Sequence, residues 1–181
     1  MKPPFRHGSP MVTSIALGFV TMVAILAAGC DRVDQKKFDA VYRAGKALEV
    51  DMSTGLVHIS ESEKLVKQLK TEISVLDGRT NGNREADAVR AYGDAADAYG
   101  HFLDVRSMDM RGDSRDGRLL VGDGWVPVAS KYHLAIEAHA DNSPAAKYNF
   151  YWMDFHEAFA AFSAATKKGL TDGSRLVNGK S

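Results

Sequence analysis

The sequence predicts an all-α fold. Its form is an antiparallel bundle of about four helices, with a small β-hairpin or loop insertion between the third and fourth. Three observations predict it. Apolar residues recur at spacings of three and four along four separate stretches, which marks one buried face on each helix. Turn-forming residues separate those stretches. Four helices of about 17 to 25 residues pack most simply as antiparallel neighbours.

The first helix is expected over about Asp34 to Met52, where Phe38, Val41, Gly45, Leu48 and Met52 share a face. A glycine on that face points to the close approach of a neighbouring helix. Ser53-Thr54-Gly55 interrupts it, and Leu56, Val57 and Ile59 suit a short extended crossing. The second helix is expected from Ser60, because Ser60 and Glu63 have capping-box spacing. Leu65, Val66, Leu69, Ile73 and Leu76 form its stripe, and Asp77-Gly78 ends it. The third runs from about Arg84 to Met108. Ala88, Tyr92, Ala95, Tyr99, Phe102 and Leu103 line one side, with Asp87, Arg90, Asp94, Asp97, His101 and Asp104 opposite.

Residues 109–131 break the helical pattern. Leu119-Leu120-Val121, the turn Gly122-Asp123-Gly124 and Trp125-Val126-Pro127-Val128 read as a hairpin with Pro127 on a free edge. A short helix is expected around Lys131 to Ala138. The last helix is expected to start at Ser143 as cap, with Pro144 in its first turn. Tyr148, Trp152, Phe155, Phe159 and Phe162 supply its stripe, with Phe150 and Tyr151 on other faces. Lys167, Lys168 and Gly169 suit its end.

The residues before the bundle carry an address. Lys2, Arg6 and His7 form a basic head, and Met11 to Ala28 is apolar except at Thr13, Ser14, Gly18 and Thr21. Small residues then lead to Cys30, the only cysteine of the chain. This is the layout of a secretory signal peptide with its processing site.

Ala27-Ala28-Gly29-Cys30 resembles the cleavage box of bacterial lipoproteins, although Ala27 stands where that family usually carries leucine. The resemblance covers about the first thirty residues. It implies cleavage after Gly29, a diacylglycerol on Cys30 and a further acyl chain, of the palmitate type, on the new amino terminus. In enterobacterial lipoproteins an aspartate after the cysteine retains the protein in the inner membrane. Asp31 therefore favours an inner-membrane anchor with the domain facing the periplasm. Two or three acyl chains hold a protein on a bilayer where one does not. A cleaved signal with an incidental cysteine, or an uncleaved spanning segment, also places residues 31–181 outside the plasma membrane.

The expected organisation is a removed signal peptide (1–29), a lipidated tether (30–33), a helical bundle (34–170) and a flexible tail (171–181). Removing residues 1–29 from the 181-residue chain leaves 152, enough for one domain with a core. The chain has 23 basic and 23 acidic residues. Loss of Lys2 and Arg6 leaves 21 against 23, with no basic stripe for nucleic acid. Acylation of Cys30 leaves no thiol for a disulfide, a thiolate metal site or a nucleophile.

The remaining motifs are weak. His101 shares a helix face with Asp97 and Asp104, which reads as a solvated acidic surface. His133, Glu137, His139, Asp154, His156 and Glu157 form a loose group without zinc-peptidase spacing. Asp113, Asp116 and Asp123 miss the EF-hand register. Arg111-Gly112-Asp113 is a three-residue match of the kind chance supplies. Ser163 and Lys167 lie one turn apart on a face expected to be solvated. The chain has no serine elbow, phosphate-binding glycine loop or haem-attachment pair. Trp125 and Tyr132, beside the irregular stretch, are the candidates for contact with a partner.

Lys46-Ala47-Leu48-Glu49, Ser53-Thr54-Gly55-Leu56 and Leu69-Lys70-Thr71-Glu72-Ile73 resemble segments of small helical bacterial lipoproteins, a resemblance that implies no activity. The expectation is a membrane-tethered, non-catalytic interaction module with an envelope protein as partner and no cofactor or metal. The alternative is a small-molecule or metal-binding protein that uses the His133/His139/His156 region.

Overall fold

The computed structural model describes residues 33–55, 58–139 and 149–179. The expectations at residues 1–29, Cys30, Asp31, Leu56, Val57, Ser143, Pro144 and Tyr148 lie outside these residues. Among the described residues there are five α-helices and one four-stranded antiparallel sheet. The fold is mostly helical, as the sequence predicts, but it carries a sheet where a single hairpin was expected.

Helix α1 spans Gln35–Thr54. The Asp34 carboxylate caps it by accepting from the Lys36 and Lys37 N–H groups. Gly55, at φ 66°, ends it in the left-handed conformation that glycine adopts without strain. Phe38, Val41, Gly45 and Leu48 are buried, as the spacing predicts. Helix α2 spans Ile59–Leu76 and buries Val66, Leu69 and Leu76. The expected Ser60–Glu63 capping box does not form. His58 occupies the cap without a side-chain bond, so Ser60 falls inside the first turn. Helix α3 spans Asn83–Met110 and buries the alanine and aromatic face from Ala88 to Leu103.

The insertion differs from the expected hairpin. Strand β1 (Ser114–Arg115) turns through Asp116-Gly117 into β2 (Arg118–Gly122). Asp116 and Gly117 have φ of 54° and 74°, the paired positive values of the two-residue turn that Asp-Gly favours. A 3-10 turn (Asp123–Trp125) and helix α4 (Val126–Tyr132) replace the expected second strand. Pro127 lies in the first turn of α4, where its missing N–H costs nothing. The helix expected over Lys131 to Ala138 ends at Tyr132, and Ile136–Ala138 is strand β3.

Phe150–Asp154, expected inside the last helix, is strand β4. The sheet order is β1-β2-β4-β3. Leu119 pairs with Met153, which pairs with Ile136, on the inner face. Leu119, Val121 and Met153 are buried there against the bundle. Helix α5 spans Phe155–Asn178, with the Asp154 carboxylate accepting from Glu157 N–H at 2.8 Å. The helix runs past the expected end at Lys168 to a cap at Gly179, φ 67°. Residues 171–178, expected as tail, are helical, with Gly173 and Val177 buried.

Gly169 is therefore a packing residue in mid-helix and not a stop. A methyl group there would lie 2.6 Å from the Ala91 carbonyl oxygen and 2.8 Å from Ala95 Cβ. Gly45 and Gly173 do the same for Tyr92, whose ring a methyl at either would meet within 2.7 Å. Small residues thus let α1, α3 and α5 close on one tyrosine. The four long helices form a ring in the order α1, α2, α3, α5, with α3 against α5 the most extensive contact.

One end of the ring is fastened by Glu85, a buried carboxylate with 3% of its side chain exposed. It accepts from Asp34 N–H (3.2 Å), Asn81 N–H (2.7 Å) and Lys37 Nζ (2.5 Å). Burial opposes its ionisation. The Asn81, Lys37 and Asp34 bonds outweigh burial and hold the carboxyl below its usual value. Lys37 also donates to the Arg79 carbonyl, and Arg84 Nε donates to the Leu176 carbonyl at 3.1 Å. The start of α1, the α2–α3 turn and the last turns of α5 therefore meet at one end. The sheet joins α3 and α5 at the other.

Candidate functional site

Trp125 and Tyr132 come together, and they do so on the bundle. His101 of α3 lies 5.6 Å from the Trp125 ring, 6.0 Å from Tyr132 and 5.5 Å from Phe162 of α5. Tyr132 meets Phe162 edge-on at 4.9 Å. Both residues are half-buried, and they clamp the 3-10 turn and α4 onto the core. Burial pushes the Tyr132 phenol above its usual pKa, against the nearby Lys131 ammonium. Its hydroxyl is buried without a hydrogen-bond partner among the described residues. These half-buried aromatics hold an irregular segment in place.

The outer face of the sheet presents more. Leu120 pairs with Trp152, and Gly122 with Phe150. Alternation places these side chains opposite the buried Leu119, Val121 and Met153. Leu120 is 37% exposed and Phe150 46%, with Trp152 half-buried between the flanking strands. The Arg118 guanidinium lies 5.6 Å over the Trp152 ring, and His139 lies 5.6 Å from it. Arg118 also pairs with Glu137 across the sheet. The outer face therefore has an aromatic and aliphatic centre with Arg118 and Glu137 at its rim. The sequence signal for it was the short continuous aromatic and apolar run Phe150-Tyr151-Trp152-Met153, which the helical spacing of Trp152, Phe155, Phe159 and Phe162 obscured.

The histidines of the alternative reading are spread out. His133 is exposed in the left-handed cap of α4, at φ 57°. His139 lies tilted against Trp152, and His156 is exposed beside Phe155. Among the described residues no group of three His, Cys, Asp or Glu side chains is placed to hold a metal ion. His101 Nδ1 lies 3.6 Å from Asp104, while Asp97 pairs with Lys70 at 2.7 Å. Asp113 pairs with Arg111, and Asp123 accepts from Asn149 N–H.

One buried polar group escaped the sequence reading. Asp51 Oδ2 accepts from Ser62 Oγ (2.6 Å) and from Tyr99 OH (2.8 Å). Burial and the bond to Asp51 raise the Tyr99 phenol. Ser62 and Tyr99 are fully buried, so the group latches α1 to α2 and α3 and offers no accessible nucleophile. Several clefts open between the helices. One of about 480 Å³, between α3 and α5 beside α4, has Lys131 bonded to Asp94 at 3.0 Å and Lys168 to Asp172 at 2.5 Å. Another of about 420 Å³ runs between α2 and α3.

Fold and surface together define a helical bundle capped at one end by a small sheet with an exposed aromatic face. Set against family models, curated proteins and solved structures, the chain matches none.

Proposed function

We propose that this chain is a lipid-anchored protein of the bacterial cell envelope. In this reading the bundle acts as a non-catalytic interaction module and docks a partner protein on the outer face of its sheet. The observation that carries the reading is Ala27-Ala28-Gly29-Cys30, with the sole cysteine at the end of an apolar run and three residues before Val33, which is the first described residue and is buried. The lipid on Cys30 supplies the membrane hold, and Asp31 favours the inner membrane. No described helix is long and apolar enough to cross a membrane. Leu120, Phe150 and Trp152 support the docking role, since a rimmed apolar surface is where association energy concentrates.

Site-specific photocrosslinking in the intact envelope tests it. A photoreactive residue at Leu120 is expected to give a discrete adduct, and one at Val50, an exposed residue of α1, is expected to give none. Equal labelling from both positions would refute docking at the sheet.

A further inference from the structure

We propose that the end of the bundle bearing the Glu85 clasp faces the bilayer and that the β1–β2 turn of the sheet stands about 30 Å farther out. The aromatic face then meets a partner that lies beyond the lipid headgroups. This rests on the lipid-anchor reading and adds a direction to it.

Only Asp31 and Arg32 separate Cys30 from Val33. A chain spans at most about 3.6 Å per residue, so a lipid on Cys30 is held within about 11 Å of Val33. Val33 is itself buried in the bundle. Asp34 is held through its N–H to Glu85 and through its carboxylate to the first turn of α1. The slack between membrane and domain is therefore two residues. A domain on so short a leash presents to the bilayer the end at which the leash enters.

The two ends are fixed by bonds at the two ends of α5. At its start, Phe155 N–H donates to the Gly117 carbonyl in the β1–β2 turn. Near its finish, the Leu176 carbonyl accepts from Arg84 at the clasp. Phe155 and Leu176 are 21 positions apart, which at 1.5 Å per residue is about 32 Å. Lys37 ties the same end to the α2–α3 turn through the Arg79 carbonyl. Arg79 therefore marks the membrane end, and Arg115 of β1 marks the outer end. Both side chains are exposed.

The test is depth quenching of the full, membrane-extracted protein. A fluorophore is placed on Arg79→Cys or on Arg115→Cys. Each protein is reconstituted into phosphatidylcholine and phosphatidylglycerol vesicles whose headgroups carry a nitroxide quencher. Flotation and intact mass are measured first. The Arg79 label is expected to be quenched several-fold more than the Arg115 label. Equal quenching, or stronger quenching at Arg115, in protein that floats and carries its lipid would overturn the orientation alone. Protein that neither floats nor carries lipid would refute the anchor, and the orientation with it.

Discussion

Gly169→Ala adds one methyl group at the contact between α3 and α5. In a helix interior alanine is favoured over glycine by about 1 kcal/mol. Here the new Cβ would lie 2.6 Å from the Ala91 carbonyl oxygen, 2.8 Å from Ala95 Cβ and 3.0 Å from Ala95 N. Two of these atoms are backbone, so no rotamer change relieves the clash and the helices must separate. Overpacking of this kind costs about 1–3 kcal/mol, and the absence of a yielding side chain favours the upper end. The expected net result is a loss of about 1–2 kcal/mol, after the propensity gain is subtracted. Gly93→Ala and Gly100→Ala are the controls. Both are helical glycines of α3 with nothing within 4 Å of an added methyl. They are expected to gain about 0.5–1 kcal/mol. Urea denaturation of residues 31–181 followed by far-UV circular dichroism measures all three. Gly169→Ala as stable as wild type, or Gly93→Ala as damaging as Gly169→Ala, would refute the close approach.

Two further outcomes follow from the packing and the clasp. Glu85→Ala leaves the Asp34 and Asn81 N–H groups and Lys37 without their acceptor and is expected to cost about 3 kcal/mol. The Glu85 carboxyl is depressed in the folded state, so its contribution is present above its ordinary value of 4.5 and is lost as pH falls through the folded value. Glu85→Gln should remove that part of the pH dependence, which urea titrations between pH 3 and 7 would register. Phe162→Ala removes the ring that Trp125, Tyr132 and His101 share and should cost about 3–5 kcal/mol. It should also raise the solvent exposure of Trp125, measured as a red shift in tryptophan emission relative to a Trp152→Phe background.

The helical half of the fold was written in the sequence because three-four spacing reports a buried face directly. Phe38, Val41 and Leu48 mark α1, and Ala88, Tyr92, Ala95 and Tyr99 mark α3. Gly45 was legible as a close approach, and its neighbour proved to be Tyr92. The last helix was misplaced because two caps compete. Ser143-Pro144 is a good local start, and Asp154-Phe155-His156-Glu157 is another. The continuous aromatic run between them suits a buried helix and a short strand alike, and pairing with β2 and β3 decides for strand. That pairing is long-range, so no local pattern states it. The same limit hid the sheet's outer face, which exists only once Leu120 and Trp152 stand side by side. It also hid the Glu85 clasp, whose partners come from α1 and the α2–α3 turn. Gly169 misled for a different reason. Glycine serves both as a helix stop and as a close contact, and only the position of Ala91 tells which.

The central claim is a folded module held on the membrane through Cys30. Intact mass and membrane fractionation of the wild-type chain and of Cys30→Ala test it most directly. The expected wild-type protein lacks residues 1–29, carries diacylglycerol and a further acyl chain, and sediments with membranes. The expected variant carries no lipid mass and loses its membrane hold. An unmodified Cys30 in the wild type, or a variant that stays on the membrane unchanged, would contradict the account.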